Sequence, residues 1–107
     1  MFRLQRKFRQ LIGNRSYECE MCLQCEDLNS DGEVISSDAL KLLVLRMPFL
    51  RLVEGPIEWI AQQIFYFLEG QVKDLDIRTV KLVRVCVWRN SNTCVKFSDT
   101  MKATGQQ

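Results

Sequence analysis

The residues in this chain best suited to chemistry are its thiols. Cys19-x-x-Cys22-x-x-Cys25 contributes three of the five cysteines, at a spacing that on a loop lets thiolates converge on zinc or an iron–sulfur cluster. Cys86 and Cys94 are then the candidates for a fourth ligand. The chain has no histidine, which removes the commonest general base and the commonest zinc nitrogen ligand together. A nucleophilic cysteine would need activation by lysine, arginine or a helix end, and no cysteine here sits in an evident setting of that kind. The acids are no more suggestive. Asp31 and Glu33 flank a turn, and Glu54 and Glu58 flank a helix start, positions where carboxylates serve the backbone. No glycine-rich phosphate loop is present.

Whether the thiols can converge depends on the element that carries them. Residues 16–28 alternate as a strand, with Tyr17, Cys19, Met21, Leu23 and Cys25 on one face and Glu18, Glu20, Cys22, Gln24 and Glu26 on the other. Cys22 therefore points away from Cys19 and Cys25. With no Gly or Pro to break the strand, the triplet reads as core packing, and a metal site on Cys19, Cys22 and Cys25 is the weaker alternative.

The rest of the chain supplies partners for that strand. Phe2, Leu4, Phe8 and Ile12 mark a strand before it, broken at Gly13-Asn14. Asn29-Ser30-Asp31-Gly32 is a turn, after which Glu33-Val34-Ile35 restarts a short strand. Ser36-Ser37-Asp38 caps a helix over 39–47, with Leu40, Leu43 and Val44 buried and Pro48 ending it. A second helix begins at Pro56 and carries Ile57, Ile60, Ala61, Ile64, Phe65 and Leu68 at helical spacing to Gly70. Its other face holds Trp59, Tyr66 and Phe67, too apolar to be left in water. Residues 81–97 form a hairpin: an apolar strand over 82–88, the polar turn Arg89-Asn90-Ser91-Asn92, and a return over 93–97. In simple alternation Val83, Val85 and Val87 share one face, and Leu82, Arg84, Cys86 and Trp88 the other. A strand apolar on both faces needs cover on both. The order is that of an α+β domain: an antiparallel sheet with two helices packed on one face.

Composition bounds the function. An apolar fraction of 47% with 26% charged residues fits one globular domain over 1–99, with 100–107 as a polar tail. No apolar run approaches the length of a membrane span, no signal core follows the N-terminus, and an odd cysteine count suits reduced thiols, so a soluble cytoplasmic protein is expected. The net charge of +2 gives little overall pull toward nucleic acid. Locally, Arg3, Arg6, Lys7, Arg9 and Arg15 form a basic N-terminal arm without an acid. That arm suits a charged edge strand better than a nucleic-acid site.

Several motifs together resemble the 6-pyruvoyl-tetrahydropterin synthase and 6-carboxytetrahydropterin synthase family. Pro56-Ile57-Glu58-Trp59-Ile60-Ala61 looks like the family's helix start, Val85-Cys86-Val87-Trp88-Arg89-Asn90 like its strand ending in Val-Trp-Glu-Thr, and Cys94-Val95-Lys96-Phe97 like the return strand. Ser16-Tyr17, Asp31-Gly32-Glu33-Val34-Ile35 and Leu40-Lys41 are similar to its earlier strand, turn and first helix. The resemblance implies the tunnelling fold, a β-β-α-α-β-β unit whose sheet extends between subunits. The family's chemistry is missing. Gly13 and Arg15 stand where it has zinc-binding histidines, Arg9 falls near its catalytic cysteine, and the shorter, apolar Phe49–Val53 region replaces its Asp-His segment. Arg89 stands where a glutamate grips the pterin, and a cation cannot accept those N–H bonds.

The sequence therefore points to a non-catalytic protein that assembles with itself or with a larger complex. Trp59, Tyr66 and Phe67 and the arm Arg3, Arg6, Lys7 and Arg9 are the expected contact surfaces, with no cofactor and no membrane insertion. One alternative is a small anionic ligand held by Arg89 and Arg15 at the former pterin position; another is nucleic acid on the basic arm.

Overall fold

The computed structural model describes residues 1–47, 52–75 and 79–100. Strands β1 (Phe2–Ile12) and β2 (Arg15–Cys25) form a hairpin, registered from Phe2 opposite Cys25 to Ile12 opposite Arg15. Its two-residue turn needs positive φ, which Gly13 supplies at 60°. Two helices follow, α1 (Ser37–Arg46) and α2 (Ile57–Asp74), and then the hairpin of β3 (Val80–Trp88) and β4 (Cys94–Ser98). The sheet order is β1-β2-β3-β4, antiparallel throughout. This is the α+β architecture expected from the residues, in the β-β-α-α-β-β order that the resemblance implies.

One face of the sheet makes the core. Phe8, Met21, Leu23, Val85, Val87 and Phe97 pack in a single cluster with the α2 stripe Ile57, Ile60, Ala61, Ile64, Phe65, Leu68 and Val72, with Leu43 of α1 and with Met47 at its C-cap. The opposite face carries Arg3, Gln5, Lys7 and Arg9 of β1, then Glu18, Glu20, Cys22 and Gln24 of β2. Arg84, Cys86 and Trp88 of β3 and Cys94, Lys96 and Ser98 of β4 complete it, as the register requires. No helix of the described residues is long and apolar enough to cross a membrane.

Simple alternation fails at one point in β3. Val80 and Leu82 share the core face with Val85 and Val87, because the register shifts where Leu82 pairs with Leu23 and Arg84 with Cys22. Val83 is the extra residue of a β-bulge, which corrects the expected grouping of Val83 with Val85 and Val87. Valine and leucine serve either face equally, so composition does not reveal the slip.

Beyond shifts of one or two residues at the ends of α1, β3 and β4, three larger differences from the expected elements stand out. β2 ends at Cys25 rather than Leu28. Residues 33–35 form no strand, because Asn29 holds their backbone in a loop. Its Oδ1 accepts from the N–H groups of Asp31 (3.0 Å) and Glu33 (2.9 Å), and its own N–H donates to the Glu33 carbonyl at 2.8 Å. Helix α2 runs past Gly70 to Asp74: Val72, buried one turn after Leu68, extends the stripe, and packing outweighs the helix cost of one glycine. The proposed stop at Pro48 and all but the first residue of the tail 100–107 lie outside the described residues, as does most of the 49–53 region.

The cap of α1 is as expected. Ser36 Oγ accepts from the Ala39 N–H at 3.2 Å. Ser36→Ala should cost about 1 kcal/mol, seen as a lower urea midpoint at unchanged m-value; an unaltered midpoint would mean that the cap contributes nothing.

Candidate functional site

Three places deserve comparison with the residues singled out above: the turn end of the sheet, the outer stripe of α2, and β1.

The turn end collects Arg15 and Arg89. Because Cys19 pairs with Val87, the β1–β2 and β3–β4 turns lie at one end of the sheet, where the start of α2 also arrives. The β3–β4 turn is built on Asn90, whose Oδ1 accepts from the N–H groups of Asn92 (2.9 Å) and Thr93 (3.0 Å), while the Arg89 N–H donates to the Thr93 carbonyl at 2.9 Å. Arg89 thereby leaves the strand, and its Nη2 meets Glu58 Oε1 at 3.5 Å, with both side chains more than half exposed. Such a pair is worth under about 1 kcal/mol. Arg15 stacks over the Tyr17 ring, 5.4 Å from its centroid. It lines a hollow of about 280 Å³ with Ile12, Tyr17, Glu54, Gly55 and Ile60, and Arg89 is not among the lining residues. The two arginines share an end of the sheet but each has its own partner. An anion at Arg89 competes with Glu58, and one at Arg15 shares its hollow with Glu54.

On α2, Trp59 and Tyr66 lie two turns apart and are both 41% exposed. Tyr66 leans on Phe65 and Phe97, with centroids at 5.8 and 5.6 Å. Trp59 lies against Gly55, where an added Cβ would come within 2.6 Å of the indole. Phe67, expected on the same surface, instead packs half-buried against the core.

The basic arm is strand β1 itself, and it occupies an outer edge of the sheet. Arg3, Lys7 and Arg9 project on the face away from the helices; Arg6 is exposed on the other. Across the strand pair, Lys7 stands opposite Glu20 and Arg9 opposite Glu18. Arg3 Nε donates to Gln24 Oε1 at 3.1 Å, and Lys7 Nζ sits 5.8 Å from the centre of the Trp88 ring.

Sequence reasoning missed the neighbour of this edge. Beside the first residues of β1, a groove of about 460 Å³ is lined by Phe2, Leu4, Leu28, Val34, Ile35 and Leu40, with Arg3, Glu33 and Ser37 also present. Phe2 and Leu28 remain exposed. The only sequence signal was the apolar residue at each of these positions, and the loop that brings them together depends on Asn29.

The thiols divide as alternation predicts. Cys19 is fully buried in the core, Cys22 lies on the opposite face, and the β3 bulge leaves β2 regular. Among the described residues no group of three or more His, Cys, Asp or Glu side chains is arranged to hold a metal ion. Burial, with Glu18 and Cys86 adding to it, pushes the Cys19 thiol up to about 12, and burial also raises Cys86. Both are neutral thiols near pH 7, a poor state for a nucleophile.

No protein-family model matches the chain, and no curated protein is significantly similar to it.

Proposed function

We propose that this chain is a non-catalytic assembly module that joins its sheet to another chain along the outer edge of β1, with the Trp59 and Tyr66 stripe of α2 as a second contact. The observation that carries this reading is the edge itself. β1 is an eleven-residue strand with a strand partner on one side only among the described residues, so its outer backbone groups are available for pairing. The exposed cations on β1 guard such an edge against indiscriminate aggregation and leave it open to a matching partner. The absence of histidine from the chain and the basic Arg89 at the position that resembles a pterin-gripping glutamate support a non-catalytic role.

Light scattering on a size-exclusion column, run over a concentration series and on the chain isolated from native extract, tests the proposal. The expected result is an oligomer or a complex of defined stoichiometry. A monomer in every sample would overturn it. Deleting residues 1–9 is a poor test of nucleic-acid binding, because it removes most of β1 and with it one of the two strand pairings of β2.

A further inference from the structure

We infer that the partner of the β1 edge is an extended segment of a different protein in which apolar and acidic residues alternate. The inference rests on the assembly reading above and names the chemistry of what that edge accepts.

The strand already paired with β1 shows what β1 requires. Toward the helices β2 presents Cys19, Met21, Leu23 and Cys25, and toward the open face it presents Glu18 opposite Arg9 and Glu20 opposite Lys7. Opposite charges facing each other across a strand pair stabilise it, and like charges do the reverse. A strand added to the outer edge meets the same two faces of β1. On the open face it finds Arg3, Lys7 and Arg9. On the helix side, beside Phe2 and Leu4, it finds the apolar groove completed by Leu28, Val34, Ile35 and Leu40. A residue opposite Phe2 or Leu4 therefore enters the groove, and a residue opposite Arg3, Lys7 or Arg9 projects among cations.

A second copy of this chain fits poorly. Its own β1, paired antiparallel, sets one row of Arg3, Lys7 and Arg9 against another. Its β4 brings Lys96 to the open face, as the chain of pairs Lys7–Glu20–Cys86–Lys96 shows. The acidic strand β2 lies in the middle of the sheet, already paired on both sides. What remains is an acidic, alternating strand from elsewhere.

The test uses the full chain and two fluorescein-labelled nine-residue peptides, one alternating valine with glutamate and the other valine with lysine. Anisotropy gives affinity, and hydrogen exchange locates the contact. The glutamate peptide should bind about tenfold or more tightly than the lysine peptide, the sum of two or three facing charge pairs. It should protect amides of β1, and its affinity should fall in the double variant Lys7→Gln, Arg9→Gln. Glutamine at these two exposed positions introduces no like charge against Glu18 and Glu20, so the fold is kept. Equal affinity of the two peptides, or protection confined to other elements, overturns the inference. Self-association with β1 amides protected in the absence of peptide overturns it while leaving the assembly reading intact. Failure of peptide binding overturns the inference, and joined to a monomer in native extract as well as in the purified chain it overturns both.

Discussion

Phe65→Ala should lower the stability of this domain by about 3–5 kcal/mol, a large part of what a domain of this size possesses. Phe65 is fully buried in the middle of α2. Its ring meets Phe97 of β4 edge-on, with centroids 5.1 Å apart, and Tyr66 at 5.8 Å. It thus ties the long helix to the short outer strand, which among the described residues has sheet pairing with β3 alone. Truncation leaves a cavity inside the close-packed core cluster and removes two aromatic contacts besides. Phe65→Leu, which keeps most of the volume, should lose much less. Denaturant unfolding of the two variants checks the expectation; equal small losses would mean that α2 does not pack on β4 as described.

The second large effect is alkaline. The Cys19 thiol is held neutral by burial, its pKa raised from 9.0 to about 12. In the unfolded chain the thiol ionises near its ordinary value, while in the folded chain it keeps its proton. Between pH 9 and 12 the native state therefore binds more protons than the unfolded state, and stability falls as pH rises through that window. The slope is about 1.4 kcal/mol per pH unit, for a total near 4 kcal/mol. Below pH 9 the thiol is protonated in both states and contributes no slope. The measurement is a difference between two chains, which cancels every other ionisation. Stability against pH for the parent chain should fall more steeply above pH 9 than for Cys19→Ala, although the variant starts lower at pH 8 from lost packing. Parallel curves would show that Cys19 is not held neutral.

Much of this fold is legible in the sequence because local signals and packing agree. Ser36 is followed by a helix and caps it. Gly13 stands between two alternating strands and turns them. Cys19, Met21 and Leu23 alternate with Glu18 and Glu20, and the sheet buries the apolar set. Where local signals and packing compete, the sequence misleads. Gly70 reads as a stop, yet Val72 extends the buried stripe and the helix continues. Val34 and Ile35 read as a strand, yet Asn29 had already claimed the backbone beside them. The bulge at Val83 leaves no trace, because every residue around it from Leu82 to Val87 except Arg84 is apolar enough for either face.

The surfaces follow the same division. That β1 is basic needs only the sequence; that its cations face Glu18 and Glu20 needs the register. Arg89 stands out in the sequence only through a resemblance, and its pairing with Glu58 joins residues 31 positions apart, so no local spacing announces it. The groove beside Phe2 and Leu4 depends on a loop returning from Leu28 to Ile35, a contact set by the Asn29 turn rather than by periodicity.

The central claim, that β1 is the edge at which this chain joins another, is tested most directly by hydrogen exchange at the β1 amides. It should be recorded on the chain in the assembly isolated from native extract and again after dissociation to the single chain. In the free chain the outward-pointing amides of Phe2–Ile12 should exchange quickly, while those bonded to β2 are protected. In the assembly the fast set should become protected as well. Outward β1 amides that exchange at the same rate in both states, with protection appearing elsewhere, would contradict the account.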